Sequence, residues 1–265
     1  MKAVQLAAKG AFLRYIEIPG EDPPLVWLHG WQCSSTGELL PAAVQPALRG
    51  RRSLLVDFLG HGYSDKPIDF PYRLEDHARA IVALIDWTEL RECGLVGHSM
   101  GGGVAILVAA ARPTVVSLLV MAEGNVGPDD DADSFGGLSE DEFVGHGFDD
   151  LVAGQAKEAG VQPRGLRAAH LGMTRLLEPR AIYREYVSMG HETTPPLRSA
   201  LGGLTMPRWY LAGELSDPEP ELEQELASLG VGWKVVPQTA HAMGLQNPAG
   251  FAQTVADVMA ASWQT

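Results

Sequence analysis

Six short apolar runs punctuate the chain: LVWLHG at 25–30, SLLVDF at 53–58, CGLVGH at 93–98, VVSLLVMA at 115–122, PRWYLAG at 207–213 and WKVVP at 233–237. Each is too short for a helix and lacks the polar alternation of a half-wetted strand, which predicts strands covered on both faces. Helical patterns lie between several of them. LEDHARAIVALIDWTEL puts Leu74, Ala78, Ile81, Leu84 and Ile85 on one stripe, with Glu75 and Asp76 in the first turn, where the helix dipole favours acids. MGGGVAILVAAARP is apolar all round, as a helix packed inside a structure must be, and Pro113 stops it. PAGFAQTVADVMAASW repeats Phe251, Val255, Val258 and Met259 at helical spacing. Strand alternating with helix predicts right-handed crossovers and a mostly parallel α/β sheet.

From about Asn125 to Leu204 the alternation stops. No run there reads as a strand, while DDLVAGQAKEAG at 149–160 and PRAIYREYVSMG at 179–190 read as helices among glycines and prolines. Because the segment still carries apolar residues to bury, it is expected to be an insertion resting on the sheet. Its first third is acidic, with nine Asp or Glu and no Lys or Arg from Asp129 to Asp150. DDDAD at 129–133 lacks the spacing of a calcium loop, so a solvated face is expected and no metal is assigned.

Composition narrows the partners. Hydrophobic residues make up 46% of the 265 positions, ample for a large core. The net charge of −13 repels phosphate backbones and anionic membrane surfaces, which excludes nucleic acid and membrane as expected partners. Lys9, Arg14 and Glu17 interrupt the N-terminal stretch before it reaches signal-peptide length, and no later run approaches a membrane span, so a cytoplasmic location is expected. Two cysteines, Cys33 and Cys93, exclude a disulfide framework, and strand geometry keeps the two apart.

The chemistry centres on GLVGHSMGGG. Gly97-His98-Ser99-Met100-Gly101 falls between a strand and a helix, the context of the G-x-S-x-G turn that holds a serine nucleophile in a strained conformation. The helix after it aims its first free N–H groups, Met100 foremost, at charge developing beside Ser99. A serine hydroxyl needs a base, and the base needs a carboxylate. His241, in QTAHAMGLQNP between the last strand and the last helix, is the expected base. Asp217 in YLAGELSDPEPE is the preferred carboxylate, with Glu123 in VMAEGN as the alternative, since both lie beyond the carboxyl ends of parallel strands. The loop after LVWLHG is expected to supply a second donor, the Trp31 amide, because Gly30 permits a sharp bend. Cys33 lacks a glycine turn of its own and is read as a bystander thiol.

LVWLHGW, DFLGHGYSDKP, GHSMGGG, GELSD and AHAMGLQNP, taken in order, resemble the alpha/beta-hydrolase fold family over all but the inserted segment. The resemblance implies an eight-stranded, mostly parallel sheet flanked by helices, with a helical cap inserted after the sixth strand. That divides the chain into a core of 1–124 and 205–265 and a cap of 125–204. It implies a cofactor-independent serine mechanism with Ser99 as nucleophile, His241 as general base, Asp217 as acid, and the Trp31 and Met100 amides as oxyanion hole. Substrate contacts are expected from His29, Gly30, Trp31 and Met243, while His61 and Gly62 match a structural loop. Glu123 resembles the acid placement of a minority of members, so the acid stays open. A serine at 99 speaks against haloalkane dehalogenase or soluble epoxide hydrolase chemistry, where that position resembles an aspartate. The expected reaction is hydrolysis of esters or lactones of small to medium apolar acyl compounds. Carbon–carbon bond hydrolysis, acyl transfer and cofactor-free lyase chemistry are alternatives for the same site, and a non-catalytic small-ligand receptor is an alternative for the same fold. Nothing in the sequence fixes an oligomeric state.

Overall fold

The structure is a computed structural model and describes residues 1–6, 10–129, 135–161, 165–217 and 219–263, with backbone alone at 158–161. Most of the acidic run DDDAD therefore lies outside the described residues. Eight strands form one sheet: β1 (Lys2–Gln5), β2 (Phe12–Ile18), β3 (Glu21–Leu28), β4 (Arg51–Asp57), β5 (Cys93–His98), β6 (Val116–Ala122), β7 (Arg208–Gly213) and β8 (Gly232–Val236). Their spatial order is β1-β2-β4-β3-β5-β6-β7-β8. β1 and β2 pair antiparallel at one edge, and every pairing from β3 and β4 through to β8 is parallel.

From β3 to β6 the apolar runs become strands because both faces of the sheet are covered; β8 departs from that expectation, because it is the far edge strand and is only partly buried, with Val235 exposed. Along β3, Val26 and Leu28 face one way, into a core shared with α1 (Leu74–Trp87) and α2 (Met100–Ala111). Leu25 and Trp27 face the other way, into a core with Phe251, Val255 and Val258 of α8 (Pro248–Ser262). This is the period of two expected of a strand, with apolar residues demanded on both sides. β1 and β2 do not announce themselves as such runs. They sit at the edge, where Leu13 and Tyr15 are buried while Arg14 and Glu17 stay partly wet.

Between β6 and β7 the chain forms helices: α3 (Phe148–Val161), α4 (Leu166–Thr174), α5 (Pro179–Met189) and α6 (Leu197–Gly203). The helix α7 (Pro220–Ser228) follows β7. A buried cluster ties α5 to the sheet side. Glu185 of α5 meets His61 Nε2, in the loop after β4, through both carboxylate oxygens at 2.8 and 2.9 Å, and His77 Nε2 of α1 at 2.8 Å. All three side chains are fully buried. Burial alone would raise the Glu185 pKa, but the His61 charge and the hydrogen bonds from His61 and His77 hold it below its ordinary value. Burial likewise opposes charge on His61, yet Glu185 keeps its pKa above 6.5. Arg184 reinforces the attachment by donating to the Ile68 and Phe70 carbonyls at 3.0 and 2.8 Å, while its pair with Glu140 at 2.7 Å stays within the segment between β6 and β7. Among the described residues, no helix is long and apolar enough to cross a membrane.

Removing one partner from a buried pair strands the other, at a cost of about 3 kcal/mol. Glu185→Gln should therefore lower unfolding stability by about that amount in urea titrations. The raised His61 contributes fully below its ordinary 6.5 and loses its contribution as pH rises through the folded value. The lowered Glu185 contributes fully above its ordinary 4.5 and loses its contribution as pH falls through the folded value. The gap between wild type and variant should be widest at about pH 5.5 and narrower at about pH 9.

Candidate active site

Ser99 sits between β5 and α2 with φ 51° and ψ −122°, a conformation that an L-residue adopts only under constraint. The constraint is the close approach of two backbones. A Cβ on Gly97 would run into the Gly101 carbonyl, and a Cβ on Gly101 into the Leu28 carbonyl, so α2 packs against β3 and β5 at a distance that glycine alone permits. Hydrogen bonds lock the turn: Ser99 N–H donates to Ala122 O, and the Gly102 and Asn125 amides donate to Ser99 O. Met100 is the first residue of α2, so its N–H has no carbonyl a turn earlier to bond and points toward the serine end.

The loop after β3 faces the same point. His29 is fully buried; its Nε2 accepts from the Phe58 N–H at 3.1 Å and its Nδ1 donates to Gly30 O at 2.8 Å. These bonds fix one neutral tautomer, and burial first, then the His61 charge, lowers its pKa to about 3. Gly30 O also accepts from Cys33 N–H. In a trans peptide the N–H points opposite to the carbonyl, so these bonds turn the Trp31 N–H away from His29. His29 therefore orients the loop, a correction to its expected substrate contact, because both ring nitrogens are already engaged. Gly30 likewise donates its N–H to Glu38 Oε2 at 2.8 Å. The half-buried Trp31 indole donates to Ile182 O of α5 at 3.1 Å and stacks near Phe135 and Tyr186, at 5.7 and 5.1 Å between ring centroids. Gln32, at φ 58° and nearly buried, accepts from Gln155 of α3 at 2.8 Å and lies 3.2 Å from His170 Nε2 of α4. Met243 is fully buried among Leu39, Ala42 and Phe251, so it belongs to the core and not to the substrate surface expected of it.

His241 follows β8, and its Nδ1 lies 2.8 Å from Glu123 Oε2. Asp217 is not the carboxylate at this ring. Glu123 stands directly after β6 at φ 41°, its N–H bonded to Leu211 O, which aims its side chain at the end of β7. There Glu123 Oε1 accepts from the Gly213 N–H at 2.8 Å and from Ser216 Oγ. The GELSD loop thus supplies donors to the Glu123 carboxylate, and Asp217 lines a neighbouring cleft of about 260 Å³ with Glu123. Half-burial would raise the Glu123 pKa, but bonds from His241, Ser216 and Gly213 lower it to about 2. It is a carboxylate at any ordinary pH, so His241 Nδ1 carries the proton and Nε2 is left to accept one. Ser99 Oγ and His241 Nε2 make no hydrogen bond to described residues. The rings of His98 and His241 lie 4.7 Å apart, which brings the imidazole beside the residue preceding Ser99. A cleft of about 200 Å³ lined by Gln155, Leu166, Arg167, His170, Ala242 and Leu245 adjoins it.

Cys33 and Cys93 are both free and buried, and burial pushes the Cys33 thiol well above its ordinary range, which leaves it a poor nucleophile. Among the described residues no group of three or more His, Cys, Asp or Glu is arranged to hold a metal ion. A larger cleft of about 840 Å³, between the start of α1 and α5, touches none of Ser99, Glu123 or His241. Sequence reasoning missed Gln32 and Glu38. Neither lies in a recognisable pattern, and a lone glutamate directly before the apolar Leu39 and Leu40 is the one faint signal.

Fold and site together define a class: a doubly covered, mostly parallel sheet that presents a strained serine at a strand–helix turn, with an imidazole–carboxylate pair at the same edge. A family model described as alpha/beta hydrolase fold matches residues 23–179, and the chain belongs to that family. It is 37% identical over 102 residues to 2-hydroxymuconate semialdehyde hydrolase of Pseudomonas sp. (strain CF600), covering 37% of this chain and 35% of that one. It is 42% identical over 103 residues to an sn-1-specific diacylglycerol lipase of Mus musculus, covering 38% and 32%. The chain thus spans about a third of the length of these curated relatives. An esterase from Exiguobacterium antarcticum superposes with a TM-score of 0.75 at 22% identity, covering 96% of this chain and 97% of that one, a likeness of fold.

If the backbone contact at Gly101 sets the serine turn, Gly101→Ala should destabilise the protein by about 1–3 kcal/mol, as overpacking does. Gly154→Ala is the control: its Cβ would meet open space within α3, and helix propensity should stabilise it by about 0.5–1 kcal/mol. Urea unfolding of the two variants beside wild type checks both signs.

Proposed function

We propose that the protein is a serine hydrolase cleaving ester or lactone bonds of small to medium, mainly apolar acyl compounds. Ser99 is the nucleophile, His241 the general base, Glu123 the acid, and the Trp31 and Met100 amides the oxyanion donors. The observation that carries this reading is the 2.8 Å contact of His241 Nδ1 with Glu123 Oε2 at the edge where Ser99 is held in its strained turn. His241 Nε2 takes the proton as Ser99 Oγ attacks the carbonyl carbon. Glu123 holds the tautomer and stabilises the imidazolium. The two amides receive the oxyanion, each donor worth roughly 10²–10³ in rate. Collapse expels the alcohol, which takes the proton from His241, and water activated by the same ring then releases the acid. The apo hydroxyl need not already bond the imidazole, since such bonds tighten on substrate binding.

The aromatic wall of Trp31, Phe135 and Tyr186, with Leu177 and Ile182 packed behind it, supports an apolar acyl group. In this reading residues 125–204 form a lid over the site, and the net charge of −13 disfavours anionic substrates, less so in salt. The relative named as a diacylglycerol lipase supports ester cleavage. A second reading, cleavage of a carbon–carbon bond beside a carbonyl by the same residues, draws on the relative named 2-hydroxymuconate semialdehyde hydrolase.

Product analysis with a panel of short aryl esters, lactones and a vinylogous diketone separates the two, with ester or lactone turnover expected to dominate. On the best ester, Ser99→Ala should lose on the order of 10⁴-fold in kcat and Glu123→Gln roughly 10²–10⁴-fold, while Asp217→Asn stays close to wild type. Full activity in Ser99→Ala would overturn the mechanism, and a larger loss in Asp217→Asn than in Glu123→Gln would overturn the assignment of the acid.

A further inference from the structure

The proposed mechanism leaves a buried ion pair beside Ser99 unused. Glu38, in the helical turn Ser35–Leu39 after β3, is 2% exposed, and His98, the residue before Ser99, is 4% exposed. Glu38 Oε2 accepts from the Gly30 N–H at 2.8 Å. Its Oε1 lies 2.8 Å from His98 Nδ1, a close ion pair bent away from a linear hydrogen bond. His98 Nε2 lies 2.7 Å from the backbone carbonyl of His241. One carboxylate and one imidazole therefore join the oxyanion loop, the serine turn and the loop of the proposed base.

The protons can be assigned from the partners. The His241 carbonyl only accepts, so His98 Nε2 carries hydrogen, and Nδ1 facing a carboxylate carries the other. His98 is then an imidazolium. Burial opposes both charges, but the His98 charge and the Gly30 amide hold Glu38 at about 2, and Glu38 keeps His98 above its ordinary value. The packing leaves no slack: a Cβ on Gly30 would stand 2.9 Å from His98 Nδ1 and 3.3 Å from Ser99 Cβ. Apolar side chains would fill this volume at less desolvation cost, so stability alone does not account for the pair.

We propose that Glu38 and His98 are positioning residues, which hold the Trp31 amide and the His241 ring in register with Ser99 by tying the Gly30 N–H to the His241 carbonyl. The proposal rests on the serine hydrolase reading. It assigns Glu38 no proton transfer and no contact with substrate. Its effect is geometric, and a shift of about 1 Å in such a constellation costs on the order of 10²-fold.

The test uses Glu38→Gln, which keeps an acceptor for the Gly30 N–H but removes the charge facing His98, together with His98→Gln, which keeps a donor, and the double variant. Steady-state kinetics on an aryl ester are paired with the rate of Ser99 phosphonylation by a fluorophosphonate, and circular dichroism verifies folding. Each single variant is expected to lose about 10–100-fold in kcat and in phosphonylation rate, with KM nearly unchanged. The double variant should lose no more than the worse single, because the two residues act as one unit. Glu38→Ala, lacking both contacts, should fall further than Glu38→Gln. Folded single variants with wild-type kcat, a loss confined to KM, or additive losses in the double variant would each overturn the positioning role. A wild type that takes no phosphonate at Ser99 would instead overturn the hydrolase reading beneath it.

Discussion

The approach of α2 to β3 and β5 is the constraint on which the rest depends. Backbone meets backbone where Gly97 faces Gly101 and Gly101 faces Leu28, and no side chain fits between them. With helix and strands this close, the residue joining them has no relaxed conformation, and Ser99 takes φ 51°. Strain of this kind costs about 1–3 kcal/mol and persists only when the surroundings overdetermine it. Here that support comes through the Ala122 carbonyl at the end of β6 and the Asn125 amide in the loop after it. The same parallel register carries the ends of β3, β6, β7 and β8 to one edge, so the loops that follow them meet around the serine.

The exchange of carboxylates shows where sequence reading stops. Asp217 and Glu123 both follow parallel strands, and spacing along the chain does not rank them. The deciding facts are three-dimensional: Glu123 leaves β6 at φ 41°, and β7 pairs with β6 so that Gly213 and Ser216 reach Glu123 Oε1. A loop that looked like the source of a carboxylate for His241 instead holds the carboxylate of Glu123. His29 and Met243 fail as substrate contacts for a similar reason. A histidine next to a sharp turn and a methionine next to the histidine of interest look functional in one dimension, yet one is consumed by two backbone bonds and the other by the core.

What was legible follows from periodicity. Strands buried on both faces leave continuous apolar runs, and β3 to β8 fall within a few residues of those runs. The long helices α1 and α8 match their stripes, α2 is buried all round as its composition predicts, and the region between β6 and β7 forms helices where strand signals vanish. The four-residue edge strand β1 and its neighbour β2, both half wet, carry only weak alternation. Buried charges were the least legible. Glu38 with His98, and Glu185 with His61 and His77, pair across 60, 124 and 108 positions, and nothing local marks a residue whose partner is that far away. These pairs join segments distant in the chain: the Glu185 cluster fastens α5 to the sheet side, and the Glu38 pair links the loops around Ser99.

The central claim is that Ser99, the His241 imidazole held by Glu123, and the Trp31 and Met100 amides act on one carbonyl. A crystal structure of the protein phosphonylated at Ser99 tests it most directly, since the tetrahedral phosphorus stands in for the reacting carbon. The account requires the phosphoryl oxygen to lie about 2.7–3.1 Å from both the Trp31 and Met100 nitrogens, with His241 Nδ1 still on Glu123. A phosphoryl oxygen turned away from both amides, or an imidazole swung onto Asp217, would contradict it.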